Sequence, residues 1–351
     1  MTKFWSSLTS QLHPYEAGEQ PQDQQYLKLN TNENPYPPSP RAITRICESA
    51  SESLRLYPDP ESNKLKNAIS KLYSIERNKI FVGNGSDEVL ALSFMAFFKQ
   101  QQAITFPDIS YSFYPVYCNL FEINYHCFEL NSKFEIETDA IPKINGGIIF
   151  PNPNAPTSLF LDTSRIEMIL KQHSDVVVIV DEAYIDFGGE SCIALIDRYP
   201  NLLVIQTLSK SRSLAGLRVG FAMGNSQLID GLERVKNSFN SYPLDLLAIE
   251  GAVAAIDDTE YFNKCCTDII ATREWLTTEL NKLSFTVLTS KTNFVFVKHE
   301  SKSASKLYTE LKQSGILVRY FDKPKINNYL RITIGLRDDM EFFLEKLKSL
   351  L

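Results

Sequence analysis

Five uninterrupted apolar residues, Val176-Val177-Val178-Ile179-Val180, run directly into Asp181, and Leu202-Leu203-Val204-Ile205 runs into Gln206-Thr207-Leu208-Ser209-Lys210. A strand with one wet face alternates apolar and polar residues; a run without alternation has both faces covered. Residues 103–106, 147–150 and 219–223 read the same way, and 79–82 adds a further strand. Helix-like stretches at 87–98, 164–172 and 245–256 fall among them. This alternation predicts an α/β fold whose large domain is a mostly parallel sheet flanked by helices. The tail differs: short strands at 286–288, 294–297, 316–319 and 330–334 sit among amphipathic helices at 268–283, 303–313 and 340–350, which suits a smaller α+β domain. The expected division is an N-terminal segment, 1–40, belonging to the small domain and gating the substrate, a large domain, 41–250, and a small domain, 251–351.

Composition narrows the function. Net charge is −6 without a basic run, which argues against nucleic acid or an anionic membrane as partner. The apolar runs are far too short to span a bilayer, and the first residues show no apolar signal core, so the cytoplasm is the expected location. Six scattered cysteines form no CxxC pair, and four histidines form no helical pair; free thiols and no metal are the expectation. A GxSxG elbow and a Walker lysine are both lacking, which disfavours serine hydrolase and nucleotide chemistry.

In sheets of this kind ligands sit beyond the carboxyl ends of the strands. The segments there are GNGSDE (83–88), PDISYSFY (107–114), PNPNAPTS (151–158), DEAYIDF (181–187) and TLSKSRS (207–213). Gly85, Ser86 and Asp87 open a helix, where free N–H groups and the helix dipole favour an anion, although Ser86 or Asp87 also suits a plain N-cap. Thr207, Ser209 and Arg218 would complete such a cradle from another loop. Asp181 ends a buried strand and requires a partner; on its own, a salt bridge would suffice. With Tyr184 and Lys210 beside it, the carboxylate, phenol, amine and anion cradle suit a flat cationic heterocycle bearing a phosphate, pyridoxal 5'-phosphate. Lys210 would form a Schiff base with its aldehyde and then shuttle a proton; Asp181 would keep the pyridine nitrogen protonated; Tyr184 would bond the ring oxygen and Tyr111 stack on the ring.

The motifs LNTNENPYPPSP (29–40), LRLYPDP (54–60), GNGSDE, YSFYP (111–115), VDEAYIDF (180–187), TLSKSRSLAGLRVGF (207–221), GILVRYF (315–321) and YLRITIG (329–335) occur in an order that resembles the fold-type I pyridoxal-phosphate aminotransferases. Within them the chain resembles the histidinol-phosphate aminotransferase family. The resemblance covers residues 29–335 and implies a seven-stranded-type sheet, a transaminase of histidine biosynthesis, and a homodimer with shared sites. It gives Lys210, Asp181, Tyr184 and Tyr111 the roles above, places Gly85, Ser86, Ser209 and Arg218 about the phosphate, and leaves Asp87, Asn154 and Thr207 in the wider cofactor-binding set. It makes Tyr57 the residue that reaches the neighbouring subunit's phosphate, and Tyr15, Asn34, Arg319 and Arg331 the substrate set. Tyr57 and Arg331 would otherwise read as a loop tyrosine and a surface charge. One departure stands out: the family's NNPTG is here Asn154-Ala155-Pro156-Thr157-Ser158, so Ala155 lacks the ring-contacting amide. Asn154 would have to reach around the turn, and Ser158 stands where glycine allows an unusual backbone angle.

Two arginines at one end of a cavity suit a phosphate ester, and also serve the two carboxylates of glutamate or 2-oxoglutarate. The implied small-molecule substrates are therefore histidinol phosphate and glutamate/2-oxoglutarate. Three other readings remain open on the sequence: an aromatic or branched-chain aminotransferase, a threonine-phosphate decarboxylase of the same superfamily, and a cofactor-binding regulator with an inert Lys210.

Overall fold

The expected strands form, and they are as buried as their lack of alternation requires. The structure, a computed structural model, describes residues 3–15, 18–143 and 145–351. In chain order its strands are β1 (Leu27–Lys28), β2 (Ile80–Asn84), β3 (Ile104–Pro107), β4 (Tyr125–Phe128), β5 (Ile148–Pro151), β6 (Val178–Asp181) and β7 (Leu202–Thr207). There follow β8 (Val219–Gly224), β9 (Phe285–Val287), β10 (Phe294–His299), β11 (Ile316–Leu317), β12 (Arg319–Tyr320) and β13 (Leu330–Thr333).

Seven of them make the large sheet, in the order β2-β8-β7-β6-β5-β3-β4. Every pair in it is parallel except those of β8, which runs against both β7 and β2. All residues of β3, β5, β6, β7 and β8 are buried. Helices cover both faces. Ile69, Ile166 and Ala252 pack on one side against Phe150, Val180 and Val204, while Val89, Phe94 and Tyr117 pack on the other against Ile149, Ile179 and Ile205. Each such branched side chain contributes about 1.5–3 kcal/mol through burial, so the strand ends are held by a stiff, dry platform.

The second sheet, β12-β13-β10-β9, is antiparallel, and the long helix Thr259–Lys282 packs on it with Ala304–Gln313 and Arg337–Leu350 around a separate core. The N-terminal segment joins this lobe: β1 pairs with β11, and Leu29 lies in its core. Residues 316–319, expected as one strand, split at Val318 into β11 and β12, which belong to different sheets. The expected boundary at residue 250 falls inside the helix Leu246–Asp257, whose Ala248, Ile249, Ala252 and Ala255 belong to the large core. Among the described residues no helix is long and apolar enough to cross a membrane.

Candidate active site

The carboxyl ends of β5, β6 and β7 open into one cavity of about 180 Å³, also lined by the N-terminal segment and by β12 and β13. A single water needs roughly a tenth of that volume, so the space is one for an organic ligand.

Asp181, the last residue of β6, is 4 % exposed. Its Oδ2 accepts the Tyr114 hydroxyl at 3.1 Å and its Oδ1 the Ala183 N–H at 3.2 Å. Among the described residues no cation pairs with it. Burial pushes its carboxyl up to about 6, against the pull of those two donors, and the nearby Asp87 and Glu182 add to the rise. A buried acid left in this condition is a seat for a ligand's cationic group.

Lys210 follows β7, on the next strand of the sheet. Its Nζ lies 3.4 Å from the Thr31 carbonyl and 5.9 Å from the centre of the Tyr184 ring. Beyond it, the Thr207 hydroxyl donates to the Ser209 Oγ at 2.9 Å. Gly85 sits at φ +78, where a Cβ would come within 2.4 Å of the Arg218 guanidinium. At Gly220 on β8 a Cβ would lie 2.3 Å from the Ser86 nitrogen, so glycine there lets the strand touch the N-terminus of the helix Gly85–Ser93. Arg218 reaches back to this helix and pairs with the Asp87 Oδ2 at 2.8 Å, while the Asp87 Oδ1 accepts the Tyr111 hydroxyl at 3.1 Å. Ser86, Arg218, Thr207 and Ser209 thus meet on one side of the cavity, next to Tyr111.

The opposite side is cationic. Arg319 and Arg331 face one another in register on β12 and β13. Arg331 lies between Phe294 and Phe321, 5.2 and 5.6 Å from their ring centres, and one Nη donates to the Asn30 carbonyl at 2.9 Å, but its Nε has no partner. Burial lowers its guanidinium pKa, and the like charge of Arg319 adds to the drop. Among the described residues no carboxylate pairs with either arginine. Tyr15 completes this side, stacked on Phe113 at 4.7 Å.

Three residues expected at this site, Gly85, Asn34 and Asn154, do not line the cavity, and Tyr57, expected to serve the neighbouring subunit, lies outside it as well. Gly85 backs Arg218 rather than lining the cavity. The Asn34 amide is spent on the carbonyls of Lys210 and Ser211, at 2.9 and 3.3 Å, so it braces the Lys210 loop from behind. The Asn154 amide donates to the Ile109 carbonyl and the Thr157 hydroxyl and does not reach around its turn to the cavity, where Ala155 stands instead. Tyr57 is 82 % exposed and stacks on Tyr242 at 4.7 Å. Ser158 does hold the left-handed angle expected of a glycine position, φ +67. Sequence reasoning missed Tyr114 and Asn32 as site residues, although both lie inside motifs quoted for the resemblance: Tyr114 holds Asp181, and Asn32 donates to the Tyr184 hydroxyl at 2.9 Å.

Asp181, Lys210, the group Ser86, Thr207, Ser209 and Arg218, and the pair Arg319 and Arg331 thus line a single cavity. The chain belongs to the class I and II aminotransferase family, whose model matches residues 24–347. Its relatives are more specific. It is 54 % identical over 349 residues to the histidinol-phosphate aminotransferase of Clostridium acetobutylicum, covering 99 % of both chains. It is 50 % identical over 351 residues to that of Clostridium botulinum, covering 100 % of this chain and 99 % of the relative. Among solved structures, histidinol-phosphate aminotransferase from Sinorhizobium meliloti in complex with pyridoxal-5'-phosphate superimposes with a TM-score of 0.90 at 20 % identity, over 100 % of this chain and 99 % of that one.

Proposed function

We propose that the chain is a pyridoxal-phosphate-dependent transaminase that exchanges an amino group between histidinol phosphate and 2-oxoglutarate or glutamate in histidine biosynthesis, working as a cytoplasmic homodimer. The observation that carries this reading is the separation of charge in one cavity: an acid at Asp181, an amine at Lys210, and two arginines, none of which forms an ion pair among the described residues.

The residues present fit the cofactor. Among the described residues no cation offsets the burial of Asp181, and the glycines at 85 and 220 let Arg218 and β8 press against the start of the helix Gly85–Ser93, which brings Ser86 and Arg218 together at the cavity. Pyridoxal phosphate, when bound, supplies an aldehyde for amines and a ring that takes up the electron pair of a deprotonated carbon. Asp181 would hold a proton on the ring nitrogen, with Tyr114 keeping that carboxylate in line. Tyr184 would donate to the ring oxygen and Tyr111 would cover the ring. Ser86, Thr207, Ser209 and Arg218 would hold the phosphate, with Asp87 orienting both Arg218 and Tyr111. Lys210 moves the proton at the substrate carbon that bears the amine.

Arg319 and Arg331 bind the substrate's anionic end. The two adjacent cations repel each other, and a phosphate dianion relieves that repulsion better than a single carboxylate does. The same pair serves 2-oxoglutarate in the return half of the reaction. Tyr57 reaches the neighbouring subunit's phosphate. The dimer reading is supported by a cluster of exposed apolar side chains around it, Leu54, Leu56, Tyr57 and Tyr242. Six unpaired cysteines suit a reducing compartment.

The test is product analysis with purified protein. Histidinol phosphate and 2-oxoglutarate should give glutamate and imidazole acetol phosphate in equal amounts. Release of carbon dioxide from threonine phosphate, with no glutamate formed from histidinol phosphate, would point to the decarboxylase reading instead, and absence of any product would overturn the assignment.

A further inference from the structure

Asn32 is 1 % exposed and sits at φ +57, a left-handed angle that asparagine tolerates better than other side chains. All of its polar groups are committed. Its N–H donates to the Thr333 Oγ1 at 3.0 Å, its carbonyl accepts from the Asn293 amide at 3.0 Å, and its Oδ1 accepts the Thr333 hydroxyl at 3.1 Å. That leaves only Nδ2 for Tyr184, whose hydroxyl oxygen it meets at 2.9 Å. In this arrangement Thr333 gives its one proton to Oδ1, and the amide NH₂ is the group turned toward Tyr184.

A phenol has one proton. Asn32 approaches Tyr184 as a donor, so the phenol accepts on that side and its own proton is free for the cavity that Tyr184 lines. Among the described residues no neighbour duplicates this donor: Ala155 lines the same cavity with a methyl group, and the Asn154 NH₂ is spent on Ile109 and Thr157. The Lys210 amine lies over the Tyr184 ring, and Arg331 and Tyr111 also interact electrostatically with it.

We propose that Asn32 is a positioning residue: by donating to Tyr184 it compels the phenol to present its proton to the ring oxygen of the cofactor. This rests on the reading that pyridoxal phosphate lies against Tyr184. A donor at an oxyanion favours the more negative, deprotonated form of the bound cofactor, so it lowers the pH at which the cofactor's visible absorption changes.

The experiment uses the cofactor-loaded enzyme and reads the pH midpoint of that absorption together with the dissociation constant of pyridoxal phosphate. Asn32→Gly removes the donor while keeping the left-handed backbone unstrained, and Asn32→Asp replaces the donor with an acceptor that draws the phenol proton inward. Asn32→Gly should raise the midpoint in the same direction as Tyr184→Phe and weaken cofactor binding by about three- to tenfold, the effect of one hydrogen bond. In the Tyr184→Phe background the same substitution should change either quantity less than about twofold, because a residue acting through that hydroxyl has nothing left to act on. Asn32→Asp should shift the midpoint further than Asn32→Gly, and by more with Tyr184 present than with it replaced. Equal effects of Asn32→Gly in both backgrounds overturn the proposal alone. A Tyr184→Phe variant with an unaltered midpoint overturns the placement of the cofactor, and the proposal with it.

Discussion

The two walls of the cavity are built in different ways. The wall that holds Asp181 and Lys210 consists of the ends of adjacent parallel strands, β6 and β7, every residue of which is buried. The wall that holds Arg319 and Arg331 consists of a two-residue strand, a four-residue strand and an N-terminal segment, tied together by single contacts between distant residues. Glu19 illustrates this: its carboxylate takes Tyr308 and Lys312 from the helix Ala304–Gln313, while its carbonyl takes the Asn30 amide. The stiff wall suits chemistry that needs fixed atoms, and the tied wall suits the recognition of two substrates of different shape.

If this division is right, substitutions on one wall should leave the other wall's function intact. The largest effect belongs to Lys210→Ala, which should lower kcat by roughly 10⁴-fold or more while the melting temperature and the affinity for the phosphate end of the cofactor persist. Retained turnover at the wild-type rate would remove the amine from the chemistry. Next is Arg331→Gln. It should raise KM for histidinol phosphate by about 100-fold, the worth of two charge-assisted hydrogen bonds, with cofactor affinity unchanged within about twofold. A parallel loss of cofactor binding would show that the walls are not separate.

Asp181 gives a prediction with a definite sign. Its folded carboxyl is raised from 3.8 to about 6, so between those values the native cofactor-free protein binds more protons than the unfolded chain, and stability falls as pH rises through that window. Asp181→Asn should therefore stabilise the cofactor-free protein by about 2–3 kcal/mol above pH 6, show no gain near pH 4, and weaken cofactor binding. Denaturant titrations at the two pH values read this directly, and a gain independent of pH would refute the cause given for the shift. The smallest effect is at Ser158, buried at φ +67: Ser158→Gly relieves a left-handed serine and should add about 1 kcal/mol of stability without altering kinetics.

The stiff wall was legible in the sequence for the same reason that it is stiff. Strands covered on both faces cannot alternate, so β5, β6, β7 and β8 show as unbroken apolar runs, and the polar residues that follow them collect on one rim. An edge strand carries no such mark: β4 exposes three of its four residues and was not expected. The tied wall depends on pairings that no local pattern encodes. Asn32 meets Tyr184 across 152 residues and Tyr114 meets Asp181 across 67, so each reads as an ordinary member of its motif until the fold brings the partners together. Asn34 lies in the same motif as Asn32, yet two residues further on it faces the back of the Lys210 loop rather than the cavity. Arg319 and Arg331 were identified by resemblance alone; their pairing in register on β12 and β13 supplies the physical reason.

The measurement that bears most directly on the account is the site of attachment of pyridoxal phosphate. Borohydride reduction of the loaded enzyme, followed by peptide mass mapping, should place the added pyridoxyl group on Lys210 and on no other lysine. Attachment elsewhere, or protein left unlabelled after incubation with the cofactor, would contradict it.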